Sequence, residues 1–285
     1  MADFRDNAVM QWIRHLLARN KPQIPESLWR HCFARLSFMQ RLSLQERSLL
    51  KSLCETLLDK KTFSGVAGFP LDDEIAVLIA AQASLPVLHL TLDLYDDMAG
   101  VIVYPSAFVL PQSETDEAGV VHEWHEPVSG EAVDAGGAVV LSWEDVQAYD
   151  APGYNLVIHE FVHKIDMHSG TANGCPPFLP EYHKELDPKA WQLVFSTAYA
   201  DFTHRVEQLE ALLPENFTLD NEADDALYDE LCRALPLDPY AARHPAEFFA
   251  VASEAFFVLP QPLSQIYPEV YQLLKIYYRQ DPLVA

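Results

Sequence analysis

Residues 155–170 read NLVIHEFVHKIDMHSG, and the organisation of the chain turns on what this stretch is. His159 and His163 stand four apart with Glu160 directly after the first. They sit in a run made apolar by Leu156, Val157, Ile158, Phe161, Val162 and Ile165. That pattern predicts a buried helix. Residues four apart on a helix are neighbours, with Cβ atoms about 5–6 Å from each other, so both imidazoles can turn a nitrogen toward one ion. Glu160 lies about 100° round the helix from His159, off the coordination position but within reach of a water on the ion, where a general base belongs. Without a cation, the same buried helix would strand a carboxylate in an apolar setting. The stretch reads as a zinc-binding helix, with one ion per chain.

A catalytic zinc takes three protein ligands and a water. The HExxHxxGxxH pattern fails, because Asp166 and Ser169 occupy the places of its glycine and third histidine. Asp166 is placed either to orient a ligand histidine through its second nitrogen or as a surface acid near the helix end. The stronger source is HPAEFFAVASEAFFVLP, residues 244–260, where Glu247 and Glu254 are the sole acids, seven apart among phenylalanines. A dication with its histidine shell accommodates both, one as ligand and one behind a histidine. The competing reading is an ion pair with Arg205 or Lys164.

Composition narrows the function classes. The 285 residues are 49% hydrophobic, enough for a sizeable core. The four cysteines are scattered without a CxxC pair, against both a disulfide framework and a thiolate zinc site. The N-terminus lacks the apolar core of a signal peptide. The most apolar stretch, Ala76 to Leu90, is broken by Gln82, Ser84 and Pro86 and is short for a bilayer span. A cytoplasmic protein with no membrane partner is expected. The formal charge of −23 is uneven: residues 1–61 carry 11 Lys and Arg against 6 Asp and Glu, and the rest is strongly acidic. Such a chain is repelled by phosphate backbones, so no direct nucleic-acid partner is expected. The basic segment is a solvated helical face or a docking surface.

Helices are expected at Arg5–Ala18, at Pro25–Met39, after the capping box Ser43–Glu46, and at Asp72–Ala83. VIVYP, AFVL, GVVHEWHE and AVVLSW suggest short strands in a small, mostly antiparallel sheet. Ser142 can cap a short helix. Long helices are expected at Pro180–Leu212, His244–Val258 and Pro262–Tyr278, with the acidic stretch Asp220–Glu230 as an exposed linker or turn.

HEFVHKIDMHSG followed by DPYAARHPAEFFAVASEAFF resembles the Mlc titration factor A family of bacterial zinc metallopeptidases. GFPLDDE, YPSAFV, LSWEDVQ and YYRQDP resemble its other landmarks in the same order, so the likeness runs from about Trp29 to the end. HExxH joined to the spacing of Tyr240 and Glu247 is also similar to the catalytic domain of anthrax lethal factor. The resemblance implies that His159, His163 and Glu247 are the zinc ligands, Glu160 the catalytic base, and Tyr240 the phenol facing the substrate carbonyl. It further implies an aminopeptidase-like activity on peptides and binding of the glucose repressor Mlc. The stretch from Glu207 to Leu235 departs from the family in being longer, which bears on the partner surface and the substrate entrance.

The expected architecture is α+β and mainly helical, with a small mixed or antiparallel sheet beside the HExxH helix. Residues 1–61 form a helical segment packed on a metallopeptidase domain of residues 62–285. Asp166 and Glu254 are expected behind the ligands. A binding protein that sequesters a transcription factor, its zinc structural, is the rival from another class.

Overall fold

The computed structural model describes residues 23–115, 121–128, 130–132, 137–148, 153–168, 170–214, 216–218 and 221–284. The helix expected at Arg5–Ala18 lies outside them. Helix α1, Glu26–Arg35, stops where Leu36 leaves helical geometry to bury its side chain, and a 3-10 turn, Ser37–Arg41, takes up the rest of the span expected as one helix. Helix α2, Leu44–Lys60, opens on the predicted capping box. Ser43 Oγ accepts from the Glu46 amide at 3.2 Å and a Glu46 carboxylate oxygen accepts from the Ser43 amide at 2.8 Å. Trp29, Leu50 and Cys54 of these helices belong to the same hydrophobic core as Phe161 and Phe249.

The fold is α+β and mainly helical, and its small sheet is of the mixed kind, one of the two expected; only the reading of it as mostly antiparallel is corrected. Strands β1 (Thr62–Gly65), β2 (Gly100–Tyr104) and β6 (Val139–Ser142) run parallel, and the short β5 (Gly130–Ala132) pairs antiparallel with β6, giving the order β1-β2-β6-β5. Strands β3 (Phe108–Thr115) and β4 (Val121–Val128) form a separate antiparallel pair. The reason lies in the residues: every residue of β6 is buried, and β1 reaches β2 through helix α3, Asp73–Ser84. A strand covered on both faces reads as a continuous apolar run without alternation, which is the habit of parallel strands with a helical crossover.

Short helix α4, Trp143–Val146, is capped by Ser142 as expected. Helix α5, Leu156–Met167, is the HExxH helix. Helix α6 runs from Pro188 to Glu210, starting later than the pattern suggests because Pro188 at its first turn sets the boundary behind the cap Asp187. The acidic stretch is no linker: Glu222–Cys232 forms helix α7, capped by Asn221. Its acids are compatible with a helix once a cap opens it and the half-buried Leu227 and Tyr228 give it a packed side, so charge density alone is a poor guide here. After a 3-10 turn at Pro239–Ala242 come α8 (Pro245–Val258), α9 (Pro260–Ile266) and α10 (Pro268–Tyr278). The last two replace one expected helix, divided at Tyr267 and Pro268.

Helix α5 packs against β5, β6 and α3, and most extensively against α8. Every residue from Leu156 to Asp166 is consequently buried. Trp191 of α6 stacks on Phe195, centroids 4.3 Å apart, and meets Phe249 of α8 edge-on, fixing α8 from behind. Among the described residues no helix is long and apolar enough to cross a membrane.

Candidate metal centre

The pairing of α5 with α8 brings together residues 84 and more positions apart in sequence. His159 and His163 are 8% and 7% exposed, and Glu247 enters from the first turn of α8. The two Nε2 atoms are 3.0 Å apart, and Glu247 Oε2 lies 3.1 Å from His159 Nε2 and 3.2 Å from His163 Nε2. The three ligand atoms thus form a nearly equilateral triangle. Zinc at about 2.0–2.2 Å from tetrahedral N and O ligands separates them by about 3.3–3.5 Å, so only a few tenths of an ångström separate this triangle from one face of such a site.

Helix α5 presents His159 in one tautomer. Glu254 Oε1 is 2.6 Å from His159 Nδ1, and its other oxygen accepts from the Asn155 backbone amide at 2.6 Å. A carboxylate in that position accepts, so the proton sits on Nδ1 and the Nε2 lone pair points to the triangle. Asn155 caps α5 by accepting from the Ile158 amide at 2.9 Å, and its own side-chain amide donates to Gln82 Oε1 at 2.7 Å. Gln82 in turn donates to the Leu78 carbonyl at 3.0 Å. Glu254 is 2% exposed, and burial raises its pKa against the pull of His159.

Electrostatics single out the same cluster. Burial would lower the His159 pKa, yet Glu254, Glu247 and Glu160 together raise it well above the ordinary histidine value. Glu247 is opposed by burial but held far below the usual carboxylate range by the two imidazoles. Burial pushes Glu160, 4% exposed, up to about 7, with the imidazoles resisting. Once the proton that these acids hold on His159 is displaced, three lone-pair atoms converge on one point, and a divalent cation is what such a donor set accepts. The residues present fit the metal that the sequence implies.

Tyr240 stands on the 3-10 turn, where its backbone amide donates to Asp238 Oδ1 at 2.8 Å, while the Tyr199 hydroxyl donates to the Ala242 carbonyl at 3.0 Å and ties the turn to α6. Its ring centroid is 6.0 Å from that of His159, and the Arg243 guanidinium lies 4.9 Å over the ring. Burial and Glu247 push the phenol up to about 12, so it stays protonated and able to donate. A cavity of about 540 Å³ adjoins it, lined by Tyr228, Asp229 and Cys232 of α7 with Glu207, Asp238 and Arg243. The acidic helix therefore borders the approach to Tyr240.

Asp166 is 2% exposed, which removes its reading as a surface acid. Its Oδ2 accepts from the backbone amides of Asn173 and Gly174 at 2.8 and 2.7 Å, rather than from a histidine. Its Oδ1 and His163 Nδ1, one turn back, are both buried without a hydrogen-bond partner among the described residues. The ion pair of an α8 acid with Arg205 does not form: Arg205 Nε donates to Asp201 at 2.7 Å. Asn155, Gln82 and Gly174 are absent from the residues that the sequence singles out. Asn155 immediately before an apolar run is a readable cap signal, and Gln82 inside a buried helix is a readable demand for a partner.

A buried HExxH helix whose histidines meet a carboxylate from a second helix is an arrangement able to hold a divalent metal ion. The chain belongs to the family described as glucose-regulated metallo-peptidase M90, which matches residues 9–279. An uncharacterized protein of Synechocystis is 34% identical over 88% of this chain and 82% of its own length. Mlc titration factor A of Yersinia pestis and that of Yersinia pseudotuberculosis are each 33% identical over 95% of this chain and 91% of their own.

Proposed function

We propose that the chain is a zinc-dependent, aminopeptidase-like hydrolase of peptide bonds, with His159, His163 and Glu247 as ligands. The observation that carries this is the triangle of ligand atoms, 3.0–3.2 Å on each side, beside a buried carboxylate that the ligands do not use. Zinc held there would supply Lewis acidity and would bring the pKa of a bound water toward about 7. Glu160 accepts that water's proton and returns it to the leaving amine, a task suited to a carboxyl group poised near neutrality. Tyr240 donates its phenolic hydrogen to the carbonyl oxygen as negative charge develops there. Glu254 keeps His159 in the tautomer that offers Nε2, with Asp166 holding the loop that follows the same helix.

Tyr240→Phe keeps the ring over which Arg243 lies and removes the donor. Its expected result is a fall in kcat of about 10- to 1000-fold, with KM and zinc content little changed. Steady-state kinetics on a panel of aminoacyl and internally quenched peptides, which also tests the activity itself, checks this. Parental kcat would return Tyr240 to a packing role.

The name of the Yersinia relatives supports a second role in this chain: binding an Mlc-like repressor, in the cytoplasm where such a repressor works. Docking a protein takes about 800 Å² of exposed surface per partner, which a buried metal cleft does not offer. Glu160→Gln is therefore expected to bind the repressor as the parent does, with affinity falling as salt rises. Calorimetric titration decides it, and loss of binding in Glu160→Gln would place the repressor in the active site as a substrate.

A further inference from the structure

His159 is held by a hydrogen-bonded chain of its own, Gln82 to Asn155 to Glu254. Glu247 meets the two histidines from the first turn of α8, so its position depends on how the start of that helix is seated. What seats it is the loop that follows α5. Gly174 is buried, has φ +79°, and passes so close to α8 that a Cβ there would lie 2.6 Å from the Pro245 carbonyl oxygen and 3.1 Å from its carbon. Pro245 is the first residue of α8, two before Glu247. Contacts under about 3 Å between carbon and a backbone oxygen are not tolerated, and the left-handed φ adds a second penalty for any side chain. Glycine is thus required at this crossing twice over.

The loop is itself pinned from both sides. Its Asn173 and Gly174 amides donate to Asp166 Oδ2, and the Gly174 carbonyl accepts from Trp191 Nε1 at 3.0 Å. Trp191 is fully buried and packs on Phe249 of α8, two residues past Glu247. Asp166 lies three residues after His163 on α5. A continuous path therefore runs from His163 through Asp166, Gly174 and Pro245 to Glu247, joining two corners of the triangle through backbone and a carboxylate.

Resting on the metal reading above, the geometry points to Asp166 and Gly174 as positioning residues for the third ligand: the carboxylate holds the loop, and the glycine lets the start of α8 approach until Glu247 meets the two imidazoles. Asp166 acts on Glu247 through the loop, and not on a histidine through its ring.

Zinc affinity, measured by competition with a chromophoric chelator on the full chain, tests this together with the melting temperature of the metal-free protein. Gly174→Ala and Asp166→Ala are expected to bind zinc on the order of 10- to 100-fold more weakly, the range for outer partners of metal ligands. Asp166→Asn keeps a carbonyl oxygen for the two amides and is expected to recover most of the affinity. If Asp166 served His163 Nδ1 instead, Asp166→Asn would be as weak as Asp166→Ala, because the amide NH₂ facing the ring cannot accept, and the proposal would be overturned. Parental zinc affinity in Gly174→Ala or Asp166→Ala, even with a lowered metal-free melting temperature, would also overturn it by reducing the loop to ordinary scaffold. Should Gly174→Ala not fold, the two Asp166 variants decide. A parent that binds no zinc refutes the metal reading itself, which is distinct from a parent and variants that bind it equally.

Discussion

Glu160→Gln is expected to lower peptide turnover by about 10²- to 10⁴-fold while zinc content stays at the parental level. The substitution is isosteric and removes only the ability to take and give a proton. Glu160 is buried beside His159 and His163, and its ordinary carboxylate pKa is pushed up to about 7, so the chain maintains a costly group where an amide would sit more comfortably. Burying a carboxylate away from bulk water costs several kcal/mol, which a neutral Gln does not incur. The variant should therefore be at least as stable as the parent in thermal melts, and its inactivity cannot be laid to unfolding. Near-parental turnover would remove Glu160 from the mechanism.

Glu247→Ala is expected to abolish both stoichiometric zinc binding and activity. Three protein ligands are the usual minimum for a catalytic zinc, and removing the anionic one leaves two neutral imidazoles and weakens the field that attracts a dication. Glu254→Ala should behave differently, since Glu254 contacts His159 Nδ1 and the Asn155 amide rather than the triangle. Its loss frees the ring to change tautomer and orientation, with zinc affinity about 10- to 100-fold lower and not absent. The reverse ranking of these two variants, read from metal content after dialysis, would mean that the two acids of α8 have each other's roles.

The centre is legible in the sequence to a different degree at each corner. His159, Glu160 and His163 are local, since a helical period and an apolar run place them on one buried helix without reference to anything else. Glu247 and Glu254 stand out because an otherwise apolar aromatic helix carries two acids seven apart, yet which of them meets the metal depends on the direction in which α8 crosses α5, and that comes from family resemblance. Gln82 and Gly174 carry no local mark of their task. An amide in a buried helix says that a partner exists but not which, and a glycine in a loop of small residues does not announce the carbonyl it makes room for. The sheet misleads in part for a related reason: VIVY and AVVL read as members of a mostly antiparallel sheet, whereas their burial and the helices packed beside them make them parallel neighbours in a mixed one. The acidic run at 220–230 misleads because its charge density outweighs, on the page, the cap at Asn221 that makes it a helix.

Whether the triangle of His159, His163 and Glu247 holds zinc is tested most directly by elemental analysis of the purified chain, beside His159→Ala and His163→Ala prepared identically. About one zinc per parental chain is expected, and little or none in either variant. A parent free of zinc after exposure to it, or variants that retain the parental amount, would contradict the metal centre and everything built on it.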